Sequence, residues 1–114
     1  MSGITTHVLD TARGRPASGL AVTLESQSGD GRWAVVGKGT TDADGRVKQL
    51  LPAGASLHPG LYRLTFDTQT YFVAQEREAF YPQVTVVFEV RDPAQNYHVP
   101  LLLSPFGYST YRGS

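Results

Sequence analysis

Gln83-Val84-Thr85-Val86-Val87-Phe88-Glu89-Val90-Arg91 is the stretch on which the fold turns. Side chains alternate across a β-strand with a period of two. Val84, Val86, Phe88 and Val90 therefore share one apolar face, while Thr85, Val87 and Glu89 share the other. The same alternation recurs on either side of this stretch. Tyr62, Leu64 and Phe66 share a face within Gly60 to Asp67. Leu20, Val22 and Leu24 point inward within Leu20 to Glu25, with Thr23 and Glu25 outward. Ile4, Thr6 and Val8 oppose Thr5, His7 and Leu9 within Ile4 to Asp10. Trp33 to Thr40, Arg46 to Leu50, Asn96 to Leu103 and Tyr108 to Arg112 complete the strands, with Pro52 stopping the second of these. Gly14-Arg15-Pro16, Ser28-Gly29-Asp30-Gly31, Asp42-Ala43-Asp44-Gly45 and Asp92-Pro93 are turn signals, and Ala53 to Pro59 reads as a loop. From Thr68 to Glu78 the two-residue period is lost. Asp67 or Thr68 can cap a helix there, with Tyr71, Phe72 and Gln75 at helical spacing. Seven or eight short strands and one short helix predict an all-β, two-sheet sandwich.

Composition narrows the function classes. A chain of 114 residues suits a single domain spanning 1–114. It contains no cysteine, which excludes disulfides and thiolate metal sites. Ten basic residues balance ten acidic ones without a cationic run, so no electrostatic footprint for nucleic acid is present. No apolar stretch approaches the ~20 residues of a membrane-spanning helix. No basic and apolar leader opens the chain, and the expected location is the cytoplasm.

Two departures from a simple sandwich carry information. Pro100 falls inside a strand, where it cannot donate to a ladder, so an unpaired N–H side or a bulge is expected. The outward faces of the first and penultimate strands also mix histidine with apolar residues. His7 neighbours Leu9, and His98 neighbours Pro100 and Leu102. An apolar outer face predicts burial against another subunit.

These same faces hold the candidate chemistry. A neutral imidazole near pH 7 can act as a general base, which makes His7 and His98 the first candidates. His58, in a His-Pro-Gly turn, reads as structural or exposed, and no ligand spacing supports a zinc site. Arg46 opens a strand after the Asp-Gly turn and can orient an anionic or carbonyl-rich ring by forked hydrogen bonds. Asp10 reads as a strand-end turn former, and Trp33 as packing. The terminal Tyr111-Arg112-Gly113-Ser114 follows an apolar run and a turn without a spacer, so it is expected to lie fixed against the body. It presents a phenol, a guanidinium, a glycine and a hydroxyl, a plausible lining for a site that takes a small polar ring.

Thr5-Thr6-His7-Val8-Leu9-Asp10, followed by Gly14-Arg15-Pro16-Ala17, resembles the opening of the transthyretin-like proteins. Asp42-Ala43-Asp44-Gly45-Arg46 resembles their second motif. Phe80-Tyr81-Pro82 and Tyr97-His98-Val99-Pro100-Leu101-Leu102-Leu103-Ser104-Pro105 resemble the third. The terminal tetrapeptide is similar to the signature of the enzyme branch, the 5-hydroxyisourate hydrolases. The resemblance runs from Ile4 to Ser114. It implies a prealbumin-type sandwich of two four-stranded sheets with one short helix. It implies a homotetramer, a dimer of dimers, with sites in the channel between dimers. It also implies hydrolysis of 5-hydroxyisourate to 2-oxo-4-hydroxy-4-carboxy-5-ureidoimidazoline in urate degradation, with no metal or organic cofactor. Carried over motif by motif, His7, Arg46, His98 and Ser114 would be catalytic, and Tyr111, Arg112 and Gly113 would complete the substrate site. The carrier branch lacks these two histidines, the arginine and the tetrapeptide. Because Ser114 ends the motif, an extension placed after it is expected to harm activity.

Overall fold

In the computed structural model, which describes residues 3–113, the alternation along the chain becomes alternate burial. The elements are β1 (Gly3–Asp10), β2 (Arg15–Pro16), β3 (Ala21–Gln27), β4 (Trp33–Thr40), β5 (Arg46–Val47), β6 (Gly60–Phe66), α1 (Thr68–Val73), β7 (Val84–Val90), β8 (Asn96–Ser104) and β9 (Gly107–Thr110). One sheet runs β4-β3-β6-β7. The other runs β2-β1-β8-β9, with β5 also pairing to β1. β5 lies along Thr6 and His7 and β2 along Leu9 and Asp10, on the edge of β1 away from β8. This sheet is thus also four strands wide, its outer position shared by two short strands. Two readings are adjusted here. Arg15–Pro16 pairs as a strand where a break was expected. The strand expected over Arg46 to Leu50 pairs only at Arg46–Val47.

The core lies between the sheets. Val8 and Leu101 from one sheet and Leu24, Leu64, Phe66 and Val90 from the other are wholly buried. Each such side chain contributes roughly 1.5–3 kcal/mol of transfer free energy. β1 and β8 pair in parallel, and Thr6, buried on the core face, donates its hydroxyl to the Val99 carbonyl at 2.6 Å. Asp67 caps α1: its carboxylate accepts from the Thr70 N–H at 3.2 Å and the Thr70 hydroxyl at 2.8 Å. Tyr71 and Phe72 point into the sandwich. No helix among the described residues is long and apolar enough to cross a membrane.

Two side chains do more than their local sequence suggests. Asp10 does receive the Arg13 N–H of its turn, at 3.2 Å, but it is also fully buried. It accepts from the Tyr71 hydroxyl at 2.8 Å and pairs with the Arg77 guanidinium, 67 residues away. Burial pushes its carboxyl up, yet the bonds from Arg77, Tyr71 and Arg13 outweigh this and hold it below the usual range. Trp33 packs on the outer face rather than in the core, with the Arg63 guanidinium 4.4 Å above its ring.

Pro100 explains how the chain ends. N–H and C=O groups of alternate residues face the same neighbouring strand. His98 and Pro100 therefore both face β9, where the Thr110 hydroxyl donates to the Pro100 carbonyl at 2.7 Å. Proline has no N–H to return. β9 stops at Thr110, residues 111 and 112 leave the ladder, and Gly113 rejoins it opposite His98. The expected unpaired side of Pro100 is thus turned toward the chain's last residues.

Candidate active site

The outer face of the β1–β8 sheet gathers three of the four residues expected to be catalytic. In β1, alternation sends His7 outward, half-buried between Thr5 and Leu9. Arg46 is delivered opposite His7 by a turn built around Asp42. The Asp42 carboxylate accepts the Asp44 N–H at 2.9 Å and the Arg46 N–H at 3.0 Å, and the Arg46 bond is the main reason its carboxyl lies below the usual range. Gly45 makes the turn possible. Its φ is +76°, its carbonyl accepts the Val8 N–H at 2.7 Å, and a Cβ there would run into the Val8 carbonyl. The turn is thereby fixed to β1, and Arg46 with it.

His98 reaches the same face from β8. Its register partner is Thr5, whose hydroxyl lies 2.8 Å from His98 Nδ1. The ring is half-buried. Burial, then the Arg46 charge, then His7, hold its pKa below the ordinary value. These effects favour the neutral imidazole over the charged one. The Gly113 N–H donates to the His98 carbonyl at 2.8 Å, and a Cβ on Gly113 would stand 2.5 Å from His98 Cδ2. Only glycine lets the tail lie this close to the ring.

The rest of the tail is placed beside this group. The Arg112 guanidinium lies 4.6 Å from the Tyr97 ring centroid and donates to the Gln95 side chain at 3.0 Å. Tyr111 is exposed, and with Arg112 and His98 it borders a small hollow of about 160 Å³. Ser114 lies outside the described residues. His58 is exposed, and its backbone N–H donates to the Tyr62 hydroxyl at 3.1 Å.

The space in front of the face has two parts. A groove of about 750 Å³ runs between Thr5, His98 and the loop that follows β5. A second hollow of about 460 Å³ holds His7, Pro16 and Asp44. Arg46 and Lys48 line both. The groove is within the ~300–1,000 Å³ range of small-molecule sites. No acidic side chain among the described residues pairs with Arg46. Its guanidinium can therefore receive an anionic or carbonyl oxygen beside two imidazoles. Thr5 and Lys48 had not been singled out. The available signal was parity, since Thr5 is two residues from His7 and Lys48 two from Arg46.

The family model described as the HIUase/Transthyretin family matches residues 4–113. The chain belongs to that family. Among its relatives, the 5-hydroxyisourate hydrolase of Deinococcus radiodurans is 48% identical, over 98% of this chain and 96% of the relative. The solved structure of Klebsiella pneumoniae 5-hydroxyisourate hydrolase superposes with a TM-score of 0.84 at 34% identity, covering 99% of this chain and 100% of that one. Transthyretin from Sparus aurata superposes with a TM-score of 0.91 at 32% identity, covering 99% and 97%. The fold of this family member is the transthyretin-like sandwich. That fold alone does not separate the two branches, because a hydrolase and a transthyretin both match it closely.

Proposed function

We propose that this family member hydrolyses 5-hydroxyisourate to 2-oxo-4-hydroxy-4-carboxy-5-ureidoimidazoline, in the cytoplasm, as a step of urate degradation. The observation that carries this reading is the register that sets Arg46 opposite His7 and brings His98 to the same outer face, with no acidic side chain paired to the arginine among the described residues. The names of the similar proteins point to the same substrate.

The reaction is a ring opening by water. In our reading the unprotonated Nε2 of His98 takes a proton as the water oxygen bonds to the ring carbonyl carbon. Negative charge then grows on the carbonyl oxygen or spreads into the ring, and Arg46 stabilises it. The carbon–nitrogen bond breaks as the leaving ring nitrogen receives a proton delivered by His7. The new carboxylic acid loses its remaining water-derived proton to solvent, leaving a carboxylate and a ureido group on one opened product, while His98 releases its proton and His7 regains one through solvent. General acid–base assistance of this kind contributes roughly 10²–10⁴-fold. A fixed electrostatic donor contributes roughly 10²–10³-fold. Ser114 would hold the water or a ring heteroatom, and Tyr111, Arg112 and Gly113 would close the substrate site. The scheme draws on no metal or organic cofactor.

The working unit in this reading is a homotetramer, a dimer of dimers, with the outer face of the β1–β8 sheet turned to the dimer–dimer channel. The open groove and the outward Leu9 and Leu102 support this, since a second copy would close what one chain leaves open. Light scattering of the purified protein tests it, with a monomer as the contrary result.

The rival reading is a carrier, favoured by the close superposition on a transthyretin solved in complex with thyroxine. One assay separates the two. 5-Hydroxyisourate is generated in situ from urate, and its decay is followed with and without protein. Acceleration is expected, reduced by two or more orders of magnitude in His98→Ala and His7→Ala. Decay at the spontaneous rate would leave the carrier reading standing. Since His98 titrates below its ordinary value, the acid limb of kcat/KM is expected below about pH 6.5.

A further inference from the structure

The His98 ring is held on two of its edges. On one, Thr5 Oγ1 lies 2.8 Å from Nδ1. On the other, the Gly113 backbone lies against Cδ2, so closely that a Cβ would collide there. The Cε1–Nε2 edge remains for the groove that His98 lines. Thr5 and His98 are direct partners in the parallel β1–β8 ladder, so backbone pairing sets their approach. A β-branched threonine in a strand has restricted χ1 rotation, which aims its hydroxyl more firmly than a serine would.

We propose that Thr5 is a positioning residue: its hydroxyl accepts the Nδ1–H of His98 and so keeps Nε2 as the unprotonated nitrogen facing the groove. Which ring nitrogen carries the proton is set by the bond that the other makes. With Nδ1–H given to Thr5, Nε2 has its lone pair free for water. When Nε2 takes the proton, the Nδ1–H bond to Thr5 persists and strengthens, because the ring is now charged. The proposal rests on the reading of His98 as the base. Among the described residues, the charged and ionisable groups around the ring are Arg46 and Lys48 in the groove and His7 on β1. On the hollow side they are Glu89 from β7, with Tyr97, Tyr111 and Arg112. None of these bonds Nδ1 among the described residues.

The test compares Thr5→Val, which keeps shape and strand preference but loses the hydroxyl, with Thr5→Ser, which keeps the hydroxyl. Side-chain ¹⁵N NMR of His98 in the free protein is expected to show the Nδ1–H tautomer. In Thr5→Val it should shift toward Nε2–H. Turnover of 5-hydroxyisourate by Thr5→Val should fall on the order of tenfold in kcat, the scale for losing a group that orients a histidine. KM should stay within a factor of about two, since Thr5 acts through the ring rather than on the substrate. Thr5→Ser should recover most of the loss. The acid limb should move to lower pH in Thr5→Val, because the imidazolium loses an acceptor. An upward move would mean that Thr5 donates to Nδ1, and would overturn the proposal. An Nε2–H tautomer in the unmodified protein, or a tautomer and kcat unchanged in Thr5→Val, would overturn it equally. The NMR measurement needs no turnover, so it judges Thr5 even if the protein proves inactive on 5-hydroxyisourate. Full turnover by His98→Ala would instead remove the reading of His98 as the base.

Discussion

The outer faces of the two sheets carry charge in opposite ways. On the β3–β6 face, Arg63 donates to both carboxylate oxygens of Glu25, at 2.7 and 3.2 Å, and its guanidinium covers Trp33. That cation is fully occupied by its own chain. On the β1–β8 face, Arg46 has no acidic partner among the described residues and stands beside two half-buried histidines. Both arginines are strand residues facing outward, and alternation along the chain treats them alike, although Arg46 alone follows an Asp-Gly turn. What separates them is the register partner: Glu25 opposite Arg63, His7 opposite Arg46. A paired charge supports the fold, whereas an unpaired one is available to a ligand.

The largest test of this contrast removes the tail. Deleting residues 111–114 is expected to abolish turnover while circular dichroism still reports a β-sandwich. A fully active truncation would refute the role given to the tail. Arg46→Gln comes next, with a loss of roughly 10²–10³-fold in kcat/KM and an unchanged melting temperature. Arg77→Met probes a paired charge in the interior. It strands the buried Asp10 carboxylate and is expected to cost about 3 kcal/mol by urea unfolding at pH 7. The sign of its pH dependence follows from the depressed Asp10 pKa. The stability from that depression is present above the unfolded value of about 3.9 and is lost as pH falls through the folded one. The gap between the parent protein and Arg77→Met should therefore narrow on acidification below about pH 4. Lys48→Glu would break the contrast from the other side by offering Arg46 a carboxylate two residues away on the same face. A rise in KM of about tenfold is expected, and no change would show that the Arg46 charge is not held available for substrate. The smallest effect belongs to Arg63→Gln: full activity, and a loss of about 1 kcal/mol or less.

Much of this was legible along the chain because alternation is local. The faces of β1, β3, β6 and β7 follow directly from which residues are two apart, and Asp67 announces its helix by sitting where a cap is needed. His7 and His98 were visible as outward residues on faces too apolar to be simply solvated. What stayed hidden depends on register and on distant partners. Thr5 looks like any outward threonine until the parallel pairing sets His98 beside it. Asp10 looks like a turn former until Arg77 and Tyr71 arrive from beyond α1. The turn that makes Arg46 a partner of His7 was read correctly as a turn, but its bond to β1 through the Gly45 carbonyl lies outside any local pattern.

The gap at Pro100 gives the tail a stability of its own. Beyond Thr110 the last described residues are tied to the sheet by a single backbone bond, from Gly113 to His98. Opening there breaks that one backbone bond and the exposed side-chain contacts of Arg112 with Gln95 and Tyr97, and uncovers little of the core, whereas opening at Leu101 or Leu103 requires much of the sandwich to part. The Gly113 amide should therefore exchange with deuterated solvent orders of magnitude faster than those of the β8 core. Its exchange rate becomes a local clock for how often the wall beside His98 lifts away.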